Sequence, residues 1–365
     1  MPIYMDRHDV SESVTAENIA HLHQEDLKVQ DQFGCRGLTY WFDEKRKTAF
    51  CLIEAENPEA IHEMHKHAHG EIPHSVIEVD ISIVESFLGR IEDPAKAGNT
   101  ELNIINDPAL RTIMIITWSE LNPKHSNKFE SLLSHDHDSV RTVLRNYGGS
   151  PVKQTDSQLL VSFIPVSKAV QAAIDIRSKL KKFKGVVKDE KFIFKIGLNT
   201  GLPVTRKQYI FEDTIKLTER MCEVIKGEIL VSSELKDLYK SENSNMFIKG
   251  NNIVALTRPD EDFLNSLMDY LESTWTNVNL KVDDFIKPLK CSKSQLYRKI
   301  ISLTGESINT VIKEYRLSRA LKLLHEKSGN ISEIAFETGF SSPSYFSKCF
   351  QKRYGYLPSS YLSAG

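Results

Sequence analysis

The chain has 365 residues, of which 40% are hydrophobic and 26% charged, so it is long enough for two or three domains that each bury a core. No apolar run reaches eighteen residues, and the first residues, MPIYMDRHDV, lack the apolar stretch of a secretion signal. A membrane protein is therefore excluded, and a soluble cytoplasmic one is expected. Five scattered cysteines without a Cys-x-x-Cys pair exclude a disulfide framework and a cysteine-rich zinc site.

The net charge of −2 conceals an asymmetry along the chain. Residues 1–90 contain 17 Asp and Glu against 8 Lys and Arg, whereas residues 281–365 contain 7 against 14. A basic segment suits contact with a phosphate backbone, and an acidic segment does not. The charge pattern therefore predicts that the C-terminal end binds nucleic acid and that the N-terminal end has another role.

The first 88 residues read as strand, helix, strand, strand, helix, strand. Thr15 is a typical N-cap for the first helix, and Pro58 marks the first turn of the second. The charged turn at residues 43–47 separates two β-rich runs and indicates a hairpin, and residues 75–83 alternate as a last strand. This order predicts a ferredoxin-like βαββαβ domain over residues 1–88.

The second predicted helix presents three histidines, His62, His65 and His69, on one face, because steps of three and four residues return near the same azimuth. On the first strand, Asp6 and His8 share a face. Imidazoles one helical turn apart are a common way to present two ligands to a late first-row metal ion. Spacing by itself favours the simpler interpretation, a solvated acidic helix whose histidines bind nothing.

The same domain carries three short motifs: Tyr4-x-Asp6-x-His8, the segment GLTYWFD at residues 37–43, and Ala60-x4-His65-x2-Ala68-His69-Gly70. With these motifs, nearly all of residues 1–80 resembles a small family of bacterial ferredoxin-like proteins described as nickel-binding. The resemblance implies a site for nickel, another late first-row metal ion or a small ligand. Its implied ligands are His8, His65 and His69 first, then His62. Whether one chain or two would form such a site stays open.

Residues 89–110 are rich in Gly, Pro, Asn and Asp without periodicity, and are predicted to be a linker. From residue 111 to residue 256, strand-like and helical runs alternate. The run at residues 112–117 is β-branched and typical of a buried strand, and residues 129–147 are predicted to be one helix. The alternation predicts a two-layer α+β domain.

This second domain resembles the catalytic domain of class III adenylate and guanylate cyclases. The motifs that carry the resemblance are Leu133-x3-His137-x2-Val140-Arg141-x2-Leu144-x3-Gly148-Gly149, then KIGLNTG at residues 195–201, then GEILVS at residues 227–232. The family's reaction uses two carboxylates to hold two metal ions, and an Asn/Arg pair that stabilises the transition state.

The positions that this chemistry requires are substituted. In register with the family, Trp118 and Ser157 stand at the two carboxylate positions and Lys216 at the Asn position, while Arg220 remains. A shift of one residue would bring Asp156 into use but would not restore the first carboxylate. The resemblance therefore implies a cyclase-like fold without cyclase chemistry.

Cyclase domains pair, so the resemblance also implies a homodimer. Three bases of the second domain, Lys153, Lys216 and Arg220, are candidates for holding a nucleotide at a degenerate interface. The simpler interpretation makes them surface bases on a dimerising scaffold.

The last segment, residues 262–365, contains one helical pattern twice: a short helix, a tight turn and a second helix with a polar, basic face. The second helices open at Ser292 and Ser342, and one long helix over residues 308–325 joins the pairs. Gly339 supplies the positive φ that the second turn needs. This is the helix-turn-helix pattern.

The segments GESINTVIKEYRLSRALKLL and ISEIAFETGFSSPSYFSKCFQKRYGYLPSSY resemble the DNA-binding domain of the AraC/XylS family of bacterial transcription regulators. The resemblance implies an all-α domain with two helix-turn-helix units on double-stranded DNA. The positions that match the family's groove-facing residues are Ser294, Tyr297, Arg298 and Lys299 in the first unit and Pro343, Ser344, Ser347 and Lys348 in the second.

Together these features predict an α+β multidomain transcription regulator that is not an enzyme and whose DNA binding responds to a metal ion or small ligand. One alternative is a divergent nucleotide cyclase with a DNA-binding tail, or a regulator that senses nucleotides through the cyclase-like domain. Another is a metal buffer or chaperone tethered to DNA. Formation of cyclic nucleotide separates the enzyme from the regulator, and an effect of metal on DNA affinity separates the regulator from the buffer.

Overall fold

The computed structural model describes residues 1–95, 102–119, 123–134, 139–188, 192–242 and 252–362. His137 of the cyclase-like motif and residues 96–101 of the predicted linker lie outside these ranges. Among the described residues, no helix is both long enough and apolar enough to cross a membrane.

The first domain is a four-stranded antiparallel sheet with helices on one face. Its elements are β1 (Ile3–Asp9), α1 (Ala16–Val29), β2 (Arg36–Asp43), β3 (Thr48–Glu54), α2 (Pro58–Ala68) and β4 (Ser75–Glu78). The strand order is β2-β3-β1-β4, which is the order of the split βαβ or ferredoxin-like fold. The predicted fold of this domain is confirmed.

Local sequence explains where these helices begin. Thr15 caps α1 in a capping box with Asn18, and Asn57 caps α2 immediately before Pro58. Their apolar faces, including Ile19 and Met64, pack on the sheet. Burial of these faces against the strands stabilises both helices far more than propensity alone.

The last predicted strand of the first domain is wrong in its second half. β4 ends at Glu78, and Asp80 accepts hydrogen bonds from the amides of Ser82 and Ile83 to begin α3 (Ile81–Leu88). The sequence predicts a strand that continues to residue 83, because apolar and polar residues alternate at the start of this segment. The Asp80 carboxylate satisfies the first orphan amides of a helix and so favours the helical conformation.

Residues 102–110, predicted as part of a linker, run along the outer edge of β2. The Ile105 amide donates to the Tyr40 hydroxyl at 2.9 Å, and the Phe42 amide donates to the Asp107 carbonyl at 3.1 Å. Ile105 is buried in the core of the first domain. This stretch is therefore packed onto the first domain.

The second domain is a six-stranded sheet with helices. Its elements are β5 (Arg111–Trp118), α4 (Pro123–Leu133), α5 (Val140–Asn146), β6 (Ser150–Gln154), β7 (Gln158–Phe163), α6 (Val166–Val187), β8 (Phe194–Gly201), α7 (Glu212–Val224), β9 (Ile229–Val231), α8 (Ser233–Glu242) and β10 (Ile253–Ala255). The strand order is β10-β9-β8-β5-β7-β6. The four strands β5 to β8 repeat the arrangement of the first domain, and β9 and β10 add to it in parallel. The predicted α+β architecture is confirmed, although the helix predicted over residues 129–147 is divided between α4 and α5.

The two faces of the second sheet have different coverings. One face packs under the helices α4, α5, α6 and α8 of its own domain. On the other face, Ile113 and Ile115 of β5 share a core with Trp41 and Leu52 of the first domain and with Cys222 of α7. The first two domains therefore bury a common apolar layer, sheet against sheet.

The third domain is all-helical. Its elements are α9 (Arg258–Thr274), a 3-10 helix (Val282–Phe285), α10 (Lys293–Thr304), α11 (Ile308–His325), α12 (Ile331–Glu337), α13 (Pro343–Tyr354) and α14 (Ser359–Leu362). It has two cores. The first unites α9, α10 and the start of α11 with residues of α7, and the second unites the end of α11 with α12 and α13.

Candidate nucleic-acid and metal sites

The first candidate DNA-reading helix is α10, which begins at a Ser292 capping box. Leu296 and Ile300 are buried in the first core of the third domain. All four predicted groove-facing residues of this unit are exposed: Ser294, Tyr297, Arg298 and Lys299. Tyr297 is 63% exposed, which is unusual for an aromatic side chain and leaves its ring free for a ligand.

Lys299 differs from the other three residues in what it contacts. Its ammonium lies 4.9 Å from the centre of the Phe263 ring of α9, a cation–π arrangement. Lys299 therefore connects α10 to α9, while Arg298 extends into solvent.

The second candidate reading helix is α13, where Ser342 accepts a hydrogen bond from the Tyr345 amide and Pro343 occupies the first turn. Phe346 and Phe350 are buried in the second core. Of the predicted groove-facing residues, Ser344 and Lys348 are exposed and Pro343 and Ser347 are half-buried. Sequence reasoning missed Tyr345, which is 52% exposed beside them; its signal was the aromatic residue at a polar position of the helix.

A cluster of buried polar side chains lies inside the first domain. β1 supplies Asp6 and His8, β3 supplies Cys51, α1 supplies Asp26, α2 supplies His65, and His69 is the C-cap residue that follows α2. Their donor atoms form two groups, Asp6, His8, Cys51 and His65 in one and Asp26, His65 and His69 in the other, with the atoms of each group within 4.8 Å of one another. We call these six residues the histidine cluster.

His65 belongs to both groups because its two ring nitrogens point in opposite directions. Its Nε2 lies 2.9 Å from Asp6 Oδ2, and its Nδ1 lies 3.0 Å from Asp26 Oδ1. His69 Nε2 lies 3.1 Å from the same Asp26 oxygen, and His8 Nε2 lies 3.4 Å from Asp6 Oδ2. His8 Nε2 is buried and has no hydrogen-bond partner among the described residues.

Electrostatics explains why such a polar cluster is tolerated in a core. Burial alone would lower the pKa of His65, but hydrogen bonds to Asp26 and Asp6 outweigh it and raise the pKa to about 10. Burial would raise the pKa of Asp6, but the imidazoles of His8 and His65 lower it instead. Burial and the neighbouring Asp6 carboxylate raise the pKa of the Cys51 thiol. Charged His65 and its two carboxylates therefore compensate one another.

The donor types suit a metal ion. Imidazole nitrogens, carboxylate oxygens and a thiol are the ligands that late first-row metals accept, and His8 Nε2, 3.4 Å from Asp6 Oδ2, makes no hydrogen bond within the described residues. Three predicted ligands, His8, His65 and His69, lie together. His62 is half-buried and belongs to neither group.

Asp26 and Cys51 were missed from the sequence. The antiparallel pairing of β3 with β1 brings Cys51 beside Asp6, and the Cys51 amide donates to Asp6 Oδ1 at 2.8 Å. No sequence pattern links Asp26 to His65, because the two residues lie on different helices that meet only in the folded domain.

The cyclase-like positions of the second domain carry other contacts. The Trp118 indole nitrogen donates to the Asp156 carbonyl at 2.7 Å, and its ring packs 5.2 Å from Phe129 under the helices. The Trp118 amide donates to the Ser157 carbonyl at 3.1 Å. The first carboxylate position is thus filled by an indole in the core, and the exposed Asp156 has no acidic neighbour from β5.

The three predicted nucleotide-binding bases do not share one location. Lys216 and Arg220 of α7 line a cleft of about 560 Å³, whereas Lys153 is exposed on β6, the strand at the outer end of the sheet. Lys216 Nζ lies 3.7 Å from Asp269 and 3.6 Å from Glu272, both on α9. The same two carboxylates hold the Arg220 guanidinium.

The third domain is all-helical, and its helices α10 and α13 expose polar faces. Residues 287–364 match the family described as Helix-turn-helix domain. Residues 4–79 match the family described as Nickel responsive protein SCO4226-like. The AraC-type resemblance of the third domain and the nickel-family resemblance of the first domain are both confirmed.

Curated relatives match part of this chain. Histidine kinase P4 of Formosa agariphila is 38% identical over 108 residues, which are 30% of this chain and 8% of that protein. An uncharacterized HTH-type transcriptional regulator of Pseudoalteromonas carrageenovora is 34% identical over 25% of this chain and 53% of its own length. The Escherichia coli regulator YidL is 30% identical over 29% of this chain and 34% of its own length. The chain thus spans about half or less of each of these relatives.

Solved structures resemble single domains. SCO4226 from Streptomyces coelicolor is 28% identical, with a TM-score of 0.20 over 21% of this chain and 94% of that one. The C-terminal domain of AraT, a response regulator from Geobacillus stearothermophilus, is 26% identical, with a TM-score of 0.26 over 27% of this chain and 82% of that one. An adenylate/guanylate cyclase/hydrolase from Silicibacter pomeroyi is 19% identical, with a TM-score of 0.31 over 38% of this chain and 83% of that one. These TM-scores are low, so the domain folds rest on the strand orders and helices described above.

Proposed function

We propose that this protein is a cytoplasmic transcription regulator that binds specific double-stranded DNA through two helix-turn-helix units. The observation that carries the proposal is the match of residues 287–364 to the helix-turn-helix family, on a domain whose α10 and α13 both expose polar faces. The surplus of Lys and Arg in residues 281–365 supports it, because cations near the phosphate backbone supply much of the affinity for DNA.

On this proposal, α10 and α13 enter successive major-groove faces of one side of the duplex, about 34 Å apart. Arg298, Tyr297 and Ser294 read bases in one segment, and Ser344, Ser347 and Lys348 read the other. α11 sets the separation, because it spans both cores as one uninterrupted helix.

Selection from a random duplex pool, followed by footprinting, tests the DNA assignment. The expected result is an enriched sequence with two protected segments about one helical turn apart. The same selection with Arg298→Ala and Lys348→Ala combined serves as the control and should enrich nothing. If the wild-type protein enriches no sequence over the starting pool, it is not a specific regulator.

We further propose that the histidine cluster binds nickel or another late first-row metal ion as the effector. The His65 imidazole offers the ion two positions. Beside Nε2, the residues Asp6, His8 and Cys51 would complete the site and the ion would link β1 and β3 to α2. Beside Nδ1, Asp26 and His69 would complete it and the ion would link α1 to the end of α2. Neutral imidazoles are needed for ligation, so the ion must compete with the proton that His65 holds between its two carboxylates. Metal would also add positive charge to the acidic first domain.

The second domain is assigned a scaffold role without cyclase catalysis. The burial of Trp118 and the substitution by Ser157 support this assignment. A homodimer, which the cyclase resemblance suggests, would need a surface other than the open face of the second sheet, since the first domain covers that face. A nucleotide at Lys216 and Arg220 would have to displace the carboxylates of α9.

A further inference from the structure

α7 lies between two hydrophobic cores and contributes side chains to both. On its inner face, the Cys222 thiol lies 3.8 Å from the Ile115 carbonyl and belongs to the core shared with the first domain. On its outer face, Met221 and Ile225 belong to the first core of the third domain. One helix of 13 residues thus separates the layer that contains the first domain from the layer that supports α10.

Arg220 is a buried charged residue at the outer face of α7. Its side chain is 5% exposed, and three residues of α9 surround it. Nε donates to Glu272 at 3.1 Å, Nη1 donates to Asn265 Oδ1 at 2.9 Å, and Nη2 donates to Asp269 at 2.5 Å and to the other Glu272 oxygen at 2.9 Å. A planar guanidinium held by a bidentate carboxylate and two further acceptors fixes the orientation of both helices, which a lysine cannot do.

The residues that follow Arg220 extend the same junction to the rest of the third domain, which we call the reader. Glu223 lies 3.5 Å from the Arg319 guanidinium of α11. The amide of Lys226 donates to the Leu303 carbonyl at the end of α10, at 3.0 Å. α7 and the residues that follow it therefore contact α9, α10 and α11.

We propose that Arg220 is a positioning residue for DNA reading: it fixes α9, and through α9 the reading helix α10, against the second domain. The inference rests on the proposed function of the third domain. α10 follows α9 because the two share a core and the Lys299–Phe263 contact. Loss of the guanidinium leaves Asp269 and Glu272 with the longer ion pairs to Lys216, at 3.7 and 3.6 Å, and α9 loses the bidentate contact that orients it.

This arrangement predicts a split between two kinds of DNA affinity. Base contacts require both reading helices in register with the duplex, whereas phosphate contacts tolerate displacement. Arg220→Gln should therefore weaken binding to the selected site about tenfold, a typical size for coupling between sites, and leave binding to random DNA within about twofold. Arg220→Lys should recover part of the loss.

A second variant removes the same ion pairs by changing the carboxylates of α9 that hold Arg220. Asp269→Asn combined with Glu272→Gln changes side chains that are 63% and 32% exposed, so the fold should be retained, and the loss of specific affinity should match that of Arg220→Gln. Arg177→Gln is the matched control, since Arg177 lies on α6 and pairs with Glu228 of the same domain. Its affinity for the selected site should equal that of the wild type.

Hydrogen exchange of the α9 and α10 amides provides a readout that needs no DNA. Arg220→Gln should speed their exchange about tenfold relative to Arg177→Gln. If the carboxylate double variant keeps full specific affinity and unchanged α9 exchange, Arg220 does not position the reader. If the wild type selects no DNA, the proposed function fails, and the exchange comparison alone decides whether Arg220 holds α9.

Discussion

At the scale of single residues, His65 is the most constrained side chain of the first domain. Each of its ring nitrogens faces a buried carboxylate, so the protein stabilises it as a cation. Two other ligands predicted from sequence, His8 and His69, lie around this residue, and the carboxylates that accompany them explain how the imidazoles are kept in one orientation. A metal ion would replace the proton as the positive charge between the two carboxylates.

Replacing His65 and His69 together by Ala should abolish nickel binding, because the two groups of donors lose their shared ligand and its neighbour. Isothermal titration with Ni²⁺ measures this directly. His62→Ala, on the same helix but outside both groups, is the control and should bind Ni²⁺ as the wild type does. Retained binding in the double variant, or loss in His62→Ala alone, would put the metal elsewhere.

Arg298 is the residue of α10 best suited to read a base, since its side chain is exposed and its guanidinium can bond a guanine edge with two donors. Arg298→Ala should weaken binding to the selected site by roughly 1–3 kcal/mol and relax the preference at one position. Quantitative footprinting on the selected site and on single-base variants measures both. Unchanged affinity and unchanged preference would remove α10 from the groove.

At the scale of elements, the turn between α12 and α13 depends on one glycine. Gly339 has a φ of 77°, and a Cβ there would lie 2.7 Å from the Trp275 carbonyl and 2.9 Å from Arg316 Nε. Arg316 itself donates to the Trp275 and Asn277 carbonyls at 2.8 and 2.7 Å. The turn therefore sits on the segment between α9 and α10, and its close packing ties the two reading units together.

Gly339→Ala should destabilise this unit by about 1–3 kcal/mol for the left-handed backbone alone, with overlap against Trp275 in addition. Hydrogen exchange of the α12 and α13 amides measures the loss, and about tenfold faster exchange corresponds to 1.4 kcal/mol. Gly89→Ala, followed by hydrogen exchange of the α3 amides, separates the two causes, because Gly89 ends α3 with a φ of 82° and has nothing within 4 Å of an added Cβ. Equal effects at both glycines would show that the contact with Trp275 does not matter.

At the scale of the whole molecule, the two sheets of the first two domains pack face to face and α7 connects that layer to the reader. This continuity gives an effector in the first domain a physical route to the DNA-binding helices. A ligand shifts an equilibrium only if it binds the two states with different affinity. The route is therefore testable as a coupling between two binding events.

Ni²⁺ should change the affinity of the wild-type protein for its selected site by about 5–150-fold at fixed ionic strength, the usual range of coupling. The His65→Ala and His69→Ala double variant should have one affinity with and without the ion. Anisotropy titrations with and without Ni²⁺ make the comparison, and magnesium serves as the control ion because it prefers oxygen ligands. Nickel that binds the wild type without any effect on DNA affinity would make the first domain a metal store.

The second domain should form no cyclic nucleotide from ATP or GTP with Mg²⁺ or Mn²⁺, because Trp118 and Ser157 occupy the positions of the two metal-binding carboxylates. Mass spectrometry of the products against a heat-killed control measures this. Turnover that is lost in Asp156→Ala would instead support the register shifted by one residue.

The sequence by itself determined the features that depend on near neighbours. The caps at Thr15 and Ser292, the bounds of α11 and the glycine turn at Gly339 follow from periodicity and backbone preference, and all are present in the structure. The exposure of Arg298 follows from the helical position of Leu296 and Ile300 on the opposite face.

Only the tertiary structure decided which distant residues share a site. Asp26 and Cys51 join His65 because α1 and β3 pack beside β1, and Arg220 faces carboxylates rather than solvent because α9 folds back onto α7. The first domain covers the open face of the second sheet, which no local pattern indicated. Residues that are tens of positions apart leave no periodic signal of their contact, since packing of complete elements, and not local backbone preference, brings them together.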